Sequence, residues 1–134
     1  DKKYHRFEGV LETGERLSSF LQKLRSSQFV ACVDTGHALL TGTPPQKFFA
    51  AINKNLVGCI HIHDNDGLDD LHSLPYTGVL DWDAILASLK TLGYDGDLTF
   101  EIMYFLEKFS EEQLPMAIAL AGQMGAKMLA YFQK

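Results

Sequence analysis

The sequence predicts an α/β fold: parallel strands joined by helical crossovers. Three observations predict it. Short continuous apolar runs occur three times, at FVACV (29–33), LVGCIHI (56–62) and LTFEIM (98–103), as expected of buried strands in a parallel sheet. Stretches of helical periodicity separate them, and that alternation implies right-handed βα crossovers. Each run also ends in Asp, His or Glu, at the carboxyl edge where parallel α/β folds build their sites.

The elements follow in order. Residues 1–10 are polar and without period. Leu17, Phe20, Leu21 and Leu24 recur at helical spacing and place an amphipathic helix at about 11–24, ended by SSQ. FVACV reads as a buried strand that stops at DTGH, where Gly36 supplies a turn. Thr43 is the expected cap of a second helix, with Pro44 and Pro45 in its first turn, where a missing N–H costs little. Phe48, Phe49 and Ile52 are its apolar face. LVGCIHI is the second buried strand, followed by an acidic loop from Asp64 to about Leu80. A third helix spans about Trp82–Leu92, capped by Asp81, with Ile85, Leu86 and Leu89 on one face. GYDG (93–96) turns the chain into the third strand. Ser110 and Gln113 resemble a capping box. They open a last helix to about Phe132, whose Met116, Leu120, Met124 and Met128 form a core-facing stripe. The expectation is three strands and four helices in a single domain over residues 1–134, with no linker and no repeat beyond the βα unit.

Composition narrows the class. The chain has 134 residues, 46% hydrophobic, with a net charge of −5 and no run of basic residues. That suits a globular domain and argues against a nucleic-acid binder. Cys32 and Cys59 lie inside apolar runs without CxxC spacing, so they read as free core thiols in a reducing, cytoplasmic setting. No stretch reaches the length of a membrane span and no signal pattern opens the chain. The first residue is Asp1, which suggests a processed product or a piece of something longer.

The strand ends carry the chemistry. The first ends in Asp34, with His37 three residues on. The second ends in His61 and His63, then Asp64. The third carries Glu101. Parallel strands bring such ends together. Asp34, His61 and Glu101 would form an oxygen/nitrogen set suited to a divalent cation, Mn²⁺, Zn²⁺, Co²⁺ or Mg²⁺. The cation would offset the repulsion between the carboxylates. Each residue alone has a plainer explanation. Asp34 would cap a turn, His61 would be a satisfied core histidine, and Glu101 would sit in a buried ion pair. Coincidence at three equivalent positions favours the cation. His63 and Asp64 lie one step further out, nearer substrate or in support of the ligands. Asp66 and Asp69 are solvated loop.

The segments VDTGHALLTG (33–42), HIHDNDGLDDLHSLPYTGVLDW (61–82) and LGYDGDLTFEI (92–102) resemble the xylose isomerase-like TIM-barrel superfamily. That superfamily holds sugar-phosphate isomerase/epimerase-type proteins and AP endonucleases. The spaced run Asp70, His72, Pro75, Gly78, Asp81, Trp82 makes the likeness specific. It implies a (β/α)8 barrel of which this chain supplies an incomplete, carboxyl-terminal half. It implies Asp34, His61 and Glu101 as metal ligands ending the sixth, seventh and eighth strands, with Glu101 also a catalytic acid/base. It implies His37 as a catalytic and substrate-contacting residue in epimerases and a metal ligand in the endonucleases. It implies that Asp70 and His72 bind substrate or a further metal, with His63 beside them. The Glu ending the fifth strand should precede the first helix. Glu8 and Glu12 are available, but neither follows an apolar strand, and the role is carried to neither.

The implied activity is isomerisation or epimerisation of a sugar or sugar-phosphate, by proton transfer beside a carbonyl through a metal-stabilised enediolate. One alternative is a metal-dependent phosphodiesterase acting at abasic DNA. It is disfavoured because loop 61–72 holds Asp64, Asp66, Asp69 and Asp70 and no basic residue. The other is a non-catalytic, metal-binding half-barrel. Three strands cannot close a barrel, so the expected partner is the missing amino-terminal half-barrel or a second copy. No membrane partner is implied.

Overall fold

The structure, a computed structural model, describes residues 10–132. Its elements are α1 (Gly14–Lys23), β1 (Ala31–Asp34), α2 (Thr35–Leu40), α3 (Pro45–Ala51), β2 (Val57–Ile62), α4 (Trp82–Leu92), β3 (Leu98–Phe100), α5 (Met103–Leu106) and α6 (Leu114–Phe132). The strands form one parallel sheet in the order β1-β2-β3. The predicted alternation is therefore present. No helix among the described residues is long and apolar enough to cross a membrane.

Six α-helices, besides a 3-10 turn at Lys54–Leu56, stand among the described residues where four helices were expected. The two additions are short and follow directly on strands. At DTGH the chain does not merely turn. Asp34 ends β1 and its side chain accepts from the His37 N–H at 2.8 Å, so it caps α2 at once. β3 is likewise shorter than LTFEIM, and α5 begins two residues after Glu101.

Register sets the site. Cys32 pairs with Cys59, Val33 with Ile60, and Asp34 with His61. Across the other seam His61 pairs with Thr99 and Ile62 with Phe100. The Glu101 N–H donates to the Ile62 carbonyl at 3.1 Å, holding Glu101 against the end of β2.

Burial corrects the expectation of strands covered on both faces. Ala31, Val33, Ile60 and Ile62 are buried, whereas Cys32 is exposed and Cys59 half-buried. Among the described residues the helices cover one side of the sheet. There Phe48, Phe49, Trp82, Ile85, Leu86 and Leu89 pack over the strands. Each fully buried side chain of this size contributes about 1.5–3 kcal/mol. Phe29 and Val30, expected to open β1, precede it and are exposed. The cysteines are not core thiols, because they face the uncovered side.

Three smaller expectations also change. The position before α3 is Pro44, with no side-chain cap, and the Thr43 N–H instead donates to the Ala38 carbonyl at 3.0 Å. In α6 the expected stripe holds in its second half, where Met128 is buried and Met124 packs against the core, but Met116 and Leu120 are exposed and Ala117 and Ala121 face inward instead. Small residues let the helix approach Leu74 and Ile102 closely. In α1, Leu21 is buried but Phe20 and Leu24 are exposed. The Asp81 cap is present, accepting from the Ala84 N–H at 3.0 Å. α4 ends at Gly93, whose φ of 73° is the left-handed conformation glycine adopts freely.

Candidate functional site

Side chains alternate along a strand, so Asp34, His61 and Glu101 share the uncovered face at its carboxyl edge. One ligand atom from each lies within 4.8 Å of the others. His61 Nδ1 is 3.0 Å from Glu101 Oε2. Asp34 Oδ2 is buried and has no hydrogen-bond partner among the described residues. Beside this set, Glu12 lines a cleft of about 330 Å³ together with Cys32, Asp34 and His37, and its carboxylate pairs with Arg16. Glu8 lies outside the described residues.

A second group adjoins the first. His37, His63, Asp70 and His72 each place a ligand atom within 4.8 Å of the rest. Asp70 lies between two imidazoles, 3.2 Å from His37 Nε2 and 3.1 Å from His72 Nε2. The His63 and His72 rings stack at 4.0 Å, 4° from parallel. His72 Nδ1 donates to the Glu101 carbonyl at 3.0 Å, which ties the two groups together. His72 has a φ of 44°, an uncommon conformation for a non-glycine residue that its surroundings must enforce.

Asp34, a member of the first group, also touches the second. Its Oδ1 is 2.9 Å from His63 Nε2 and 3.5 Å from His37 Nδ1. Burial pushes the Asp34 carboxyl up, but the His63 side chain, the His37 N–H and the two imidazoles outweigh it and bring it down to about 2. Burial likewise pushes the His63 imidazole down, and the Asp34 carboxylate more than offsets it, so the ring titrates above its ordinary range. Burial, then the neighbouring Cys59 thiol, push the Cys32 thiol up to about 12.

The acidic loop divides sharply. Asp64 is fully buried and accepts from the Trp82 indole N–H at 2.8 Å, the Leu80 N–H at 3.1 Å and the Asn65 N–H at 2.9 Å. It is a pin for the loop, not a group facing substrate. Gly78 is required beside it, since a Cβ there would stand 2.2 Å from the Asn65 carbonyl oxygen. Asp66 and Asp69 are exposed, and Asp66 Oδ1 accepts from the Leu68 and Asp69 N–H groups. His63 is fully buried rather than set outward.

Three residues have no place at the site from the sequence alone, although Gly36 reads there as a turn. Gly36 lets the His63 ring approach, because a Cβ there would stand 2.0 Å from its Cε1. Its place in DTGH was the available signal. Asn65 is buried and donates to the Gly36 carbonyl at 3.0 Å. Tyr104 sets its ring edge-on to His72 at 5.0 Å. Neither Asn65 nor Tyr104 carried a sequence signal.

Comparisons with known proteins agree with this architecture. An uncharacterized protein of Sinorhizobium fredii is 39% identical over 99 residues, 71% of this chain and 32% of the relative. Another, of Methanocaldococcus jannaschii, is 35% identical over 98 residues, 71% and 33% of the two chains. Among solved structures, a D-tagatose 3-epimerase-like protein superposes with a TM-score of 0.62 at 26% identity, over 92% of this chain and 46% of that one. The IolI protein with a bound zinc atom superposes with a TM-score of 0.64 at 18% identity, over 90% and 44%, a likeness of fold alone. The chain thus spans about a third of those curated relatives and just under half of those solved structures. Residues 4–119 match the family described as Xylose isomerase-like TIM barrel, and to that family the chain belongs.

Proposed function

We propose that this chain carries the metal-ligating, acid/base part of a divalent-metal-dependent sugar or sugar-phosphate isomerase or epimerase. The observation that carries the reading is the convergence of Asp34, His61 and Glu101 at one sheet edge. The residues fit a divalent cation: two carboxylates and an imidazole, with the buried Asp34 Oδ2 lacking any other partner among the described residues. The similarity to a D-tagatose 3-epimerase-like protein supports the substrate class.

Asp34, His61 and Glu101 would hold the ion. When bound, it supplies Lewis acidity that makes a C–H beside a carbonyl easier to ionise. Glu101 takes that proton and, in isomerisation, returns it to the neighbouring carbon. His61, 3.0 Å away, keeps the carboxylate oriented. His37 is exposed and donates to a substrate hydroxyl, with Asp70 at 3.2 Å fixing its ring. His63, Asp70 and His72 shape the pocket wall beside it. Epimerisation needs a second acid/base on the opposite face of the substrate carbon. The resemblance assigns that part to a Glu outside this set, so this chain by itself is expected to be nearly inactive. The uncovered sheet face and the outer edges of β1 and β3 support a partner, either the rest of a barrel or a second copy.

Two measurements test the reading. Mn²⁺ or Mg²⁺, ions that prefer oxygen to sulfur, should raise the thermal midpoint of the wild-type chain and not that of His61→Ala. In the completed barrel, ketoses incubated in D2O should exchange the hydrogen beside the carbonyl, and Glu101→Gln should abolish that exchange. Exchange at an undiminished rate in Glu101→Gln would sink the proposed role. A monodisperse, active monomer would sink the proposed partner.

The grouping of His37, Asp70 and His72 beside the first set favours a second reading, a multi-metal phosphodiesterase acting at abasic DNA. Metal-dependent cleavage of an abasic duplex without ketose exchange would select it.

A further inference from the structure

The uncovered face carries another group of ligand-type side chains, one layer below Asp34, His61 and Glu101. Cys32 and Cys59 are register partners on β1 and β2. Cys59 and His61 are two residues apart on β2 and so share a face. One ligand atom from each of Cys32, Cys59 and His61 lies within 4.8 Å of the others. Both thiols are free, Cys32 exposed and Cys59 half-buried, so this group is open to an ion from outside. Two sulfurs and an imidazole are a softer donor set than the two carboxylates and imidazole above it. The spacing is compatible with a single ion. Around a tetrahedral Zn²⁺, with Zn–S of about 2.3 Å, neighbouring sulfurs stand roughly 3.8 Å apart.

We propose that Cys32, Cys59 and His61 form a site for one thiophilic divalent ion, of the class of Zn²⁺ or Cd²⁺. Each thiol releases its proton to water as its sulfur–metal bond forms, two protons for two bonds. The fourth position is left to water. His61 is common to this set and to the oxygen-rich set above. A thiophilic ion in the lower site therefore withdraws His61 from the upper one. Ions that prefer oxygen, such as Mn²⁺ and Mg²⁺, have no reason to descend. The two layers sort ions by softness, and a soft ion below opposes a hard ion above. The cysteine site stands without the reaction proposed above, whereas its opposition to a hard ion rests on Asp34, His61 and Glu101 holding that ion.

The test is a Cd²⁺ titration of the reduced, chelator-stripped chain. The sulfur-to-cadmium charge-transfer absorption and the thiols open to a thiol-specific disulfide reagent are both followed. The absorption should saturate at one ion per chain, with both thiols protected. Cys32→Ser and Cys59→Ala should each abolish it. Cys32 is exposed, so serine there leaves the fold intact by circular dichroism. His61→Ala should weaken binding by at least the roughly tenfold that loss of even an outer partner costs. Asp34→Asn and Glu101→Gln should leave the signal in place, which separates this site from the oxygen-rich one. Prior addition of Mn²⁺ should weaken Cd²⁺ binding without protecting thiols. Absence of the absorption, its survival in either cysteine variant, or its loss in Glu101→Gln would overturn the proposal.

Discussion

The two faces of the sheet come from the same strands, residue by alternate residue, yet they behave as different materials. On the covered face Val33, Ile60 and Ile62 are buried beneath α3 and α4. On the other face Cys32, Asp34, Cys59, His61, Thr99 and Glu101 stand exposed or half-buried. One face supplies cohesion and the other presents ligand-type side chains. A period of two residues is all that separates them. The covered face can therefore hold those side chains in register without contacting them.

Substitutions on the covered face should produce the largest stability losses. Ile62→Ala leaves a cavity in a fully buried position and should cost about 2–5 kcal/mol in chemical denaturation. A loss below 1 kcal/mol would mean that the covered face is not the cohesive one. Trp82→Phe keeps most of the apolar volume but strips the indole N–H from Asp64 Oδ2. It should cost about 1–3 kcal/mol, from the carboxylate left without that donor.

Gly36→Ala joins the two faces. Its new Cβ would meet the His63 ring, so overpacking should cost about 1–3 kcal/mol. The same change should reduce the ion-induced rise in thermal midpoint, because His63 is the partner of Asp34. Glu101→Gln should separate the faces most cleanly. It alters a partly exposed pair, so stability in chelator should change by less than about 1 kcal/mol. The Mn²⁺-induced shift should vanish nonetheless.

The smallest expected effect is the pH dependence of the chelated chain. Asp34 is lowered to about 2 from the ordinary 3.8, so its contribution is present above about pH 4 and fades as the pH falls toward 2. His63 is raised from the ordinary 6.5, so its contribution is complete below that value and fades as the pH rises through the raised one. The thermal midpoint should be highest between these limits, and Asp34→Asn should flatten both slopes.

Much of the architecture was legible in local pattern. The α4 segment carries its cap at Asp81, its apolar face and its terminating Gly93 within thirteen residues. The positions of Asp34, His61 and Glu101 were legible because a strand end followed by a polar residue is itself a local signal. The misread features share a different cause. Burial of FVACV depends on what lies over the sheet, which a run of apolar letters does not specify. In α6, Met116 and Ala117 are neighbours in sequence, but only the approach of Leu74 and Ile102 decides that the small residue faces inward.

The sequence by itself determined the alternation of elements, the parallel sheet and the three strand ends that carry Asp34, His61 and Glu101, since all three depend on residues close along the chain. Tertiary structure alone decided which of the clustered polar groups does what. Asp64 becomes a pin through Trp82, eighteen residues away. His63 becomes buried through Gly36 and Asp34 on a different strand–helix unit. Cys32 becomes a neighbour of Cys59 and His61 through strand register. Such pairings are set by the relative placement of βα units, which no local spacing encodes.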